Sequence, residues 1–245
     1  MSDNNKAPVV ELVVGIQFER PVITNECIYE YYVSNKDKYP NIQENPILPS
    51  FIEHVDRPLE TGMLSGFHSR KYLISKDDNR LIQLQPNRLL FNWRKGPNNA
   101  EYPKFKNVYD QFVEIRKNID KKCNFNNLIN QLEVTFFDQI VLKDFGLENH
   151  DLGKIFNFWN LSKSNKHVDF NFTIPYPDLQ GNLNVKLRSA IRNSDNEKLL
   201  MLETTLRGIN NQDEKIDFWF NRAHDVLSSF FMDILTEDAK KIWGF

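Results

Sequence analysis

The stretch RLIQLQPNRLLFNWRK, residues 80–95, constrains the fold more than any other part of the chain. Apolar and polar residues alternate on both sides of Pro86-Asn87, which is typical of two β-strands joined by a turn. With a two-residue loop, Leu84 lies opposite Leu89, and the other apolar residues of both strands fall on the same face. Because Pro-Asn is not a favoured hairpin pair, a longer loop stays open as an alternative. The stretch therefore predicts antiparallel strands with one buried face.

Similar patterns predict the remaining elements. Strands are expected at residues 9–18, 67–75, 128–142, 168–174, 183–191 and 199–207. Helices are expected at residues 26–34, 105–119, 152–159 and 216–235. Residues 39–58 hold four prolines and are expected to form an irregular crossing.

The order of these elements repeats along the chain as strand, short helix, several strands and long helix. It predicts an α+β protein of two similar halves, residues 1–125 and 126–245, each an antiparallel sheet backed by a long helix. The halves could join into one continuous saddle-like sheet, by analogy with proteins of the TATA-binding-protein type.

Charge and cysteine content indicate the environment of the chain. The net charge of −2 shows no overall basic excess, although residues 66–122 carry 13 basic and 6 acidic side chains. Two cysteines far apart in sequence, Cys27 and Cys123, are typical of a reducing compartment. No apolar run approaches the roughly 20 residues of a membrane span, and the polar N-terminus does not resemble a signal peptide. We therefore expect a cytoplasmic protein without a membrane partner.

The chain lacks the common catalytic motifs. Its five histidines show no metal spacing, and glycine-rich phosphate loops and the G-x-S-x-G pattern are absent. Glu11 and Glu133 interrupt apolar strands, and a position on the solvent face is favoured over a hydrolytic carboxylate pair. His224 is read as a packing residue at a helix edge in preference to a catalytic base, and His68 is a conceivable base without a nucleophile beside it. We expect no catalytic residue, cofactor or metal, which favours a non-enzymatic protein.

The sheet around the hairpin offers the best candidate surface for a nucleic acid or a protein partner. Its basic and amide side chains could contact phosphates and bases; they are Arg70, Lys71, Arg80, Gln83, Gln85, Arg88, Asn92, Arg94 and Lys95. Arg80 and Lys95 fall on the apolar side of the predicted register, at strand ends. Trp93 also lies on that side, which counts against base stacking. The aromatic tail with Trp243 and Phe245 could dock on a partner or on its own core.

Three segments resemble a known family. They are APVVELVVGIQFE near the start, RLIQLQPNRLLFNWRK followed by YPKF, and FNRAHDVLSSFFMDILTEDAKKIWG at the end. Together they resemble a sporadically distributed, largely uncharacterised bacterial family of proteins of about this length. The resemblance implies mobile or defence-associated gene neighbourhoods, such as phage defence, and a protein partner encoded by a neighbouring gene. The resemblance assigns no catalytic residue to this chain.

Three functional hypotheses follow. The first is a non-enzymatic binding or assembly component of a bacterial multi-protein system. The second is a nucleic-acid-binding module that uses the sheet between residues 67 and 95. The third is an enzyme without a known motif, such as a nuclease, which predicts a cleft with strongly shifted carboxylate or histidine pKa values.

Overall fold

The computed structural model describes residues 7–63, 69–147, 152–158, 167–210 and 215–245. The strands are β1 Val9–Phe18, β2 Asn41–Asn45, β3 Ser50–Ile52, β4 Glu60–Gly62, β5 Arg70–Ile74, β6 Arg80–Gln85, β7 Arg88–Arg94, β8 Ile129–Val141, β9 Asp169–Tyr176, β10 Gly181–Arg192 and β11 Glu197–Ile209. The helices are α1 Asn25–Ser34, α2 Phe105–Cys123, α3 Ile216–Ile234 and α4 Glu237–Trp243. Short 3₁₀ turns lie at Asn126–Leu128, Leu142–Phe145, Leu152–Lys154 and Pro177–Leu179.

Nine of the strands form one antiparallel sheet in the order β2-β5-β6-β7-β1-β8-β11-β10-β9. The strands β1 and β8 pair along most of their length and join the strands from the two parts of the chain. The hairpin turns at Pro86 and Asn87, and Leu84 lies opposite Leu89, as the alternation predicts. The α+β class and the large antiparallel sheet are confirmed.

Two predictions of local structure are wrong. Residues 39–58 are not simply irregular, because they contain β2, which pairs with β5 at the sheet edge, and β3, which pairs with β4. Their prolines fall between the strands, where no ladder hydrogen bond is lost. The helix expected at 152–159 is only a 3₁₀ turn at Leu152–Lys154, and Trp159 lies outside the described residues. Positions 67 and 68, the first two of the strand expected at 67–75, also lie outside the described residues.

The two long helices pack side by side on one face of the sheet, α2 over β1 and β7 and α3 over β8 and β11. Their apolar stripes meet where the Phe220 ring lies 5.0 Å from that of Tyr109 and 5.6 Å from that of Phe112. Tyr109 also donates a 2.5 Å hydrogen bond to Asp217. Within the described ranges, no helix is long and apolar enough to cross a membrane.

The structure joins Cys27 to Cys123 in a disulfide that links α1 to α2. The two cysteines are far apart in sequence, but they are paired in the structure. The helices lie beside each other on the sheet, and this brings together two residues that are 96 positions apart. The pairing removes the cysteine argument for a reducing compartment, and the cytoplasmic location stays a prediction.

The opposite face of the sheet is polar and is partly covered by residues 46–63, which we call the strap. Two glutamines of the sheet hold its backbone. The side-chain amide of Gln85 both accepts from and donates to Leu48, each at 3.0 Å, and that of Gln17 does the same with Phe51 at 2.9 and 2.6 Å. Because each amide replaces a peptide group, the strap docks much as an added strand would.

Candidate functional site

A cavity of about 340 Å³ lies on the helix side of the sheet, between α3 and the strands β8 and β11. Apolar residues form most of its wall, including Val9, Phe136, Leu227 and Phe231. The polar groups that reach it are few; they are Tyr102, Lys104, Asp138, Thr204, His224 and Ser228. An apolar cavity with a few convergent polar groups is the usual form of a small-molecule site.

Asp138 places a carboxyl group in this apolar wall. It belongs to the helix-facing stripe of β8, and its side chain is only 5% exposed. Among the described residues, none donates a hydrogen bond to it or forms an ion pair with it. Burial raises its pKa to about 7, because an ionised carboxylate is poorly solvated there. Below pH 7 the group is therefore mainly neutral and can donate a hydrogen bond.

Tyr102 contributes a second unused donor. Its ring packs between Trp93, at a centroid distance of 5.2 Å, and Phe136, at 6.4 Å. Its hydroxyl is buried and has no hydrogen-bond partner within the described part of the chain. Burial raises the pKa of this hydroxyl, and the nearby charge of Asp138 raises it further. A buried hydroxyl without a hydrogen-bond partner costs free energy.

His224 and Ser228 line the cavity from α3. They lie four positions apart and therefore share one helix face, with Ser228 Oγ 3.2 Å from His224 Nε2. The imidazole stacks on the Phe105 ring at 4.3 Å and 15°. Burial lowers the pKa of His224, and Asp225 partly offsets this. The imidazole is therefore mainly neutral at pH 7 and can accept a proton.

The sequence contains a signal for this cavity. In β8 the inward positions Leu132, Val134 and Ile140 are buried and apolar, and Asp138 interrupts that alternation. In β11 Thr204 interrupts the same kind of stripe and is 2% exposed. Polar residues at inward strand positions mark a cavity or a site more often than a packed core.

The predicted basic surface is largely covered by the chain itself. Gln83, Gln85, Arg88 and Asn92 are buried, with exposures of 7, 1, 4 and 2%. These four side chains are therefore buried in the structure instead of offering a free surface to a partner. The strap covers Gln85 and Arg88, whereas Gln83 and Asn92 bond to each other at 2.9 Å and to neighbouring side chains of the sheet.

The other five residues of the predicted basic surface lie in separate parts of the structure. Arg70 bonds to Gln83 at 2.9 Å, Lys71 pairs with Glu44, and Arg80 bonds to Gln111 of α2 on the helix side. Arg94 and Lys95 line a separate hollow of about 810 Å³ at the end of the sheet. The acidic residues Glu11, Asp78 and Asp144 share this hollow, so its charge is mixed. Nucleic-acid binding stays a prediction; the side chains of Lys71 and Arg94 are only 16 and 26% exposed and are paired with Glu44 and Asp78.

A buried ion-pair cluster lies under the strap. Glu53 is 4% exposed and accepts hydrogen bonds from Arg207, Asn184 and Asn182 at 3.0, 2.9 and 3.3 Å. Arg207 also binds Glu133 at 2.7 Å, so Glu133 is paired and not free on a solvent face. The Phe51 ring lies 5.0 Å from the guanidinium of Arg88 and 4.9 Å from that of Arg207. These contacts hold the strap to the sheet.

The aromatic tail packs on its own chain. Trp243 is 6% exposed and contacts Phe231 at 5.9 Å and Phe145 at 5.3 Å. Phe245 is 53% exposed and lies at the cavity wall. Of the two residues that could dock on a partner or on the protein's own core, Trp243 thus packs on the core, and Phe245 is the accessible one.

The described residues contain no group of three or more His, Cys, Asp and Glu side chains arranged to hold a metal ion. No family model matches the chain, and no curated protein matches it. Among solved structures, the chain is similar to the crystal structure of DynU16, a protein in the dynemicin biosynthetic locus. That likeness covers 96% of this chain and 97% of the other, at 7% sequence identity and a TM-score of 0.28.

Proposed function

We propose that this protein binds a small, mainly apolar molecule in the cavity between the sheet and α3. The molecule carries an oxygen that accepts hydrogen bonds from Tyr102 and from the neutral carboxyl of Asp138. One observation supports this proposal above all: Tyr102 and Asp138, which are buried and find no hydrogen-bond partner for their acid groups among the described residues, line the same apolar cavity.

The chemistry of the two donors defines the class of ligand. A phenol and a neutral carboxylic acid in an apolar site both donate strongly, and together they favour an oxygen that carries negative charge or polarises easily. Carbonyl, carboxylate and phenolate oxygens meet this requirement. The cavity volume lies at the lower end of the range of about 300–1,000 Å³ for small-molecule sites. A ligand with one or two rings or a short acyl chain therefore fits best.

The fluorescent ketone Prodan tests the proposal, because it is apolar, has a single carbonyl and changes its emission on leaving water. We expect saturable binding at pH 6. Replacement of Tyr102 by phenylalanine should weaken it about 5–10-fold, since one hydrogen bond contributes about 1 kcal/mol. Replacement of Leu227 by tryptophan should abolish binding by filling the cavity.

The control for Tyr102 is Tyr29, which is 65% exposed on α1. The Tyr29→Phe variant should bind Prodan as the unchanged protein does. Equal affinities for the unchanged protein and the Tyr102→Phe and Leu227→Trp variants, with unchanged circular dichroism, would place the ligand elsewhere and overturn the proposal.

The wider role stays a proposal that rests on the sequence resemblance. On that resemblance the protein is a binding or assembly component of a bacterial multi-protein system, with phage defence or a mobile element as the setting. Co-purification with the product of a neighbouring gene tests this role. A complex that forms equally well with the Leu227→Trp variant would separate assembly from ligand binding.

The two-half organisation is also proposed. Residues 1–125 and 126–245 each supply one long helix, and their strands lie on either side of the β1–β8 pairing. These features support two related halves that share a saddle-like sheet. Expression of each half alone tests it, and independent folding of both halves is the expected result.

A further inference from the structure

We propose that Ser228 and His224 form a nucleophile and base pair that cleaves a small carboxylic ester held in this cavity. The inference rests on the proposed function, since the cavity must first bind the apolar acyl group. It goes beyond that function because it assigns a reaction to residues that binding alone does not require.

The geometry supports the pair in three ways. The Ser228 hydroxyl lies within hydrogen-bonding distance of His224 Nε2, at 3.2 Å, and both side chains face the cavity. Stacking on Phe105 holds the imidazole plane. Asp225 Oδ1 lies 3.6 Å from His224 Nδ1, which is too long for a hydrogen bond but close enough to favour the tautomer with hydrogen on Nδ1. In that tautomer Nε2 accepts the hydroxyl hydrogen.

The reaction balances without any further reagent than water. Ser228 Oγ attacks the ester carbonyl carbon while His224 Nε2 takes the hydroxyl proton. The carbon–oxygen bond to the leaving alcohol then breaks, and His224 returns the proton to the alkoxide. Water attacks the acyl-serine with His224 again as base, which releases the carboxylic acid and restores the Ser228 hydroxyl. One ester and one water give one acid and one alcohol.

Tyr102 supplies the hydrogen-bond donor that ester cleavage also requires. Ester cleavage develops negative charge on the carbonyl oxygen, and a preorganised donor that is not hydrogen-bonded elsewhere stabilises that charge. The Tyr102 hydroxyl is buried and has no hydrogen-bond partner among the described residues, and Tyr102 lines the same cavity as Ser228. The ring of Phe136 lies 6.4 Å from that of Tyr102 and 6.2 Å from that of His224, and all three residues line the cavity. The proposal places the ester carbonyl group in this cavity, between the Tyr102 hydroxyl and Ser228.

4-Nitrophenyl hexanoate tests the reaction, because its alcohol product is coloured and its acyl chain is apolar. We expect a burst of 4-nitrophenolate equal to the protein concentration, and addition of one hexanoyl group to Ser228 in the intact-mass and peptide spectra. A fluorophosphonate should label the same serine. Ser228→Ala should remove the burst and the label, and His224→Gln should slow acylation at least about 100-fold.

Ser229 provides the matched control, since it is the next residue on α3 and is exposed. The Ser229→Ala variant should react as the unchanged protein does. Prodan binding by each variant separates the two proposals. Binding without a burst or label overturns the ester cleavage and leaves the binding function, whereas absence of binding overturns both. Acylation that maps to lysines, or that survives in Ser228→Ala, also overturns the assignment.

Discussion

Replacement of Glu53 by glutamine is expected to lower the free energy of unfolding by about 3 kcal/mol. Glu53 is a buried residue of the strap and accepts hydrogen bonds from Arg207, Asn184 and Asn182 of the sheet. Removing one partner of a buried ion pair typically costs about 3–5 kcal/mol, because the remaining charge loses its compensation. Arg207 keeps Glu133, so the lower end of that range applies. Urea unfolding at pH 7, followed by tryptophan fluorescence, measures the change.

Glu60 is the matched control on the same strap. It lies in β4, its side chain is 51% exposed, and it reaches Arg57 at 3.5 Å and His54 at 3.4 Å. Glu60→Gln should change the free energy of unfolding by less than about 1 kcal/mol, because exposed ion pairs contribute little. If the two variants unfold at the same urea concentration, the cluster under the strap does not anchor it.

Replacement of Asp138 by asparagine is expected to stabilise the protein by up to about 4 kcal/mol above pH 7 and to have little effect at pH 4. The folded-state pKa of Asp138 is raised from 3.8 to about 7 by burial. Below pH 3.8 the carboxyl is neutral in both the folded and the unfolded protein, so its burial costs no ionisation free energy and the full stability is present. It is lost progressively until the pH passes about 7, because folding must then bury a charge or take up a proton. The difference between the two pKa values corresponds to about 4 kcal/mol.

Thermal and urea unfolding of both proteins between pH 4 and pH 9 measures this effect, and the gap in stability should widen with pH and level off above about pH 7. The exposed Asp56 of the strap provides the control. Asp56→Asn should shift stability by less than about 1 kcal/mol at every pH in that range. A gap that is constant from pH 4 to pH 9 would show that Asp138 is not the buried titrating group.

Local patterns predicted the elements that depend on neighbours in sequence. The alternation in residues 80–95 predicted the turn and the register of β6 and β7, because both strands and the turn that joins them lie within one short stretch of sequence. The spacing of apolar residues gave α2 and α3 almost to their ends. The strands β2 and β3 were missed because their residues are polar or few; β2 is stabilised by pairing with the more distant β5, and β3 by pairing with the nearby β4.

The candidate surface shows the limit of such patterns. Arg88 lies on the polar face, as expected, but the strap covers it, with Pro49 accepting a hydrogen bond from Arg88 across 39 residues of sequence. Alternation predicts on which face of the sheet a side chain lies, but it does not predict which segment packs against that face. The same limit applies to Asp138, whose inward position was readable in β8 while the space in front of it was not.

The sequence by itself determined the α+β class, the antiparallel hairpin and the apolar stripes of the long helices, because these follow from residue order over one or two elements. Only the tertiary structure decided that Cys27 meets Cys123, that Glu53 neutralises Arg207, and that Tyr102, Asp138, His224 and Ser228 share one cavity. These groups come from separate elements, and their contacts arise when the strands pair and the helices pack on the sheet. The chemistry of the cavity is thus a property of packing between distant segments, which no local pattern encodes.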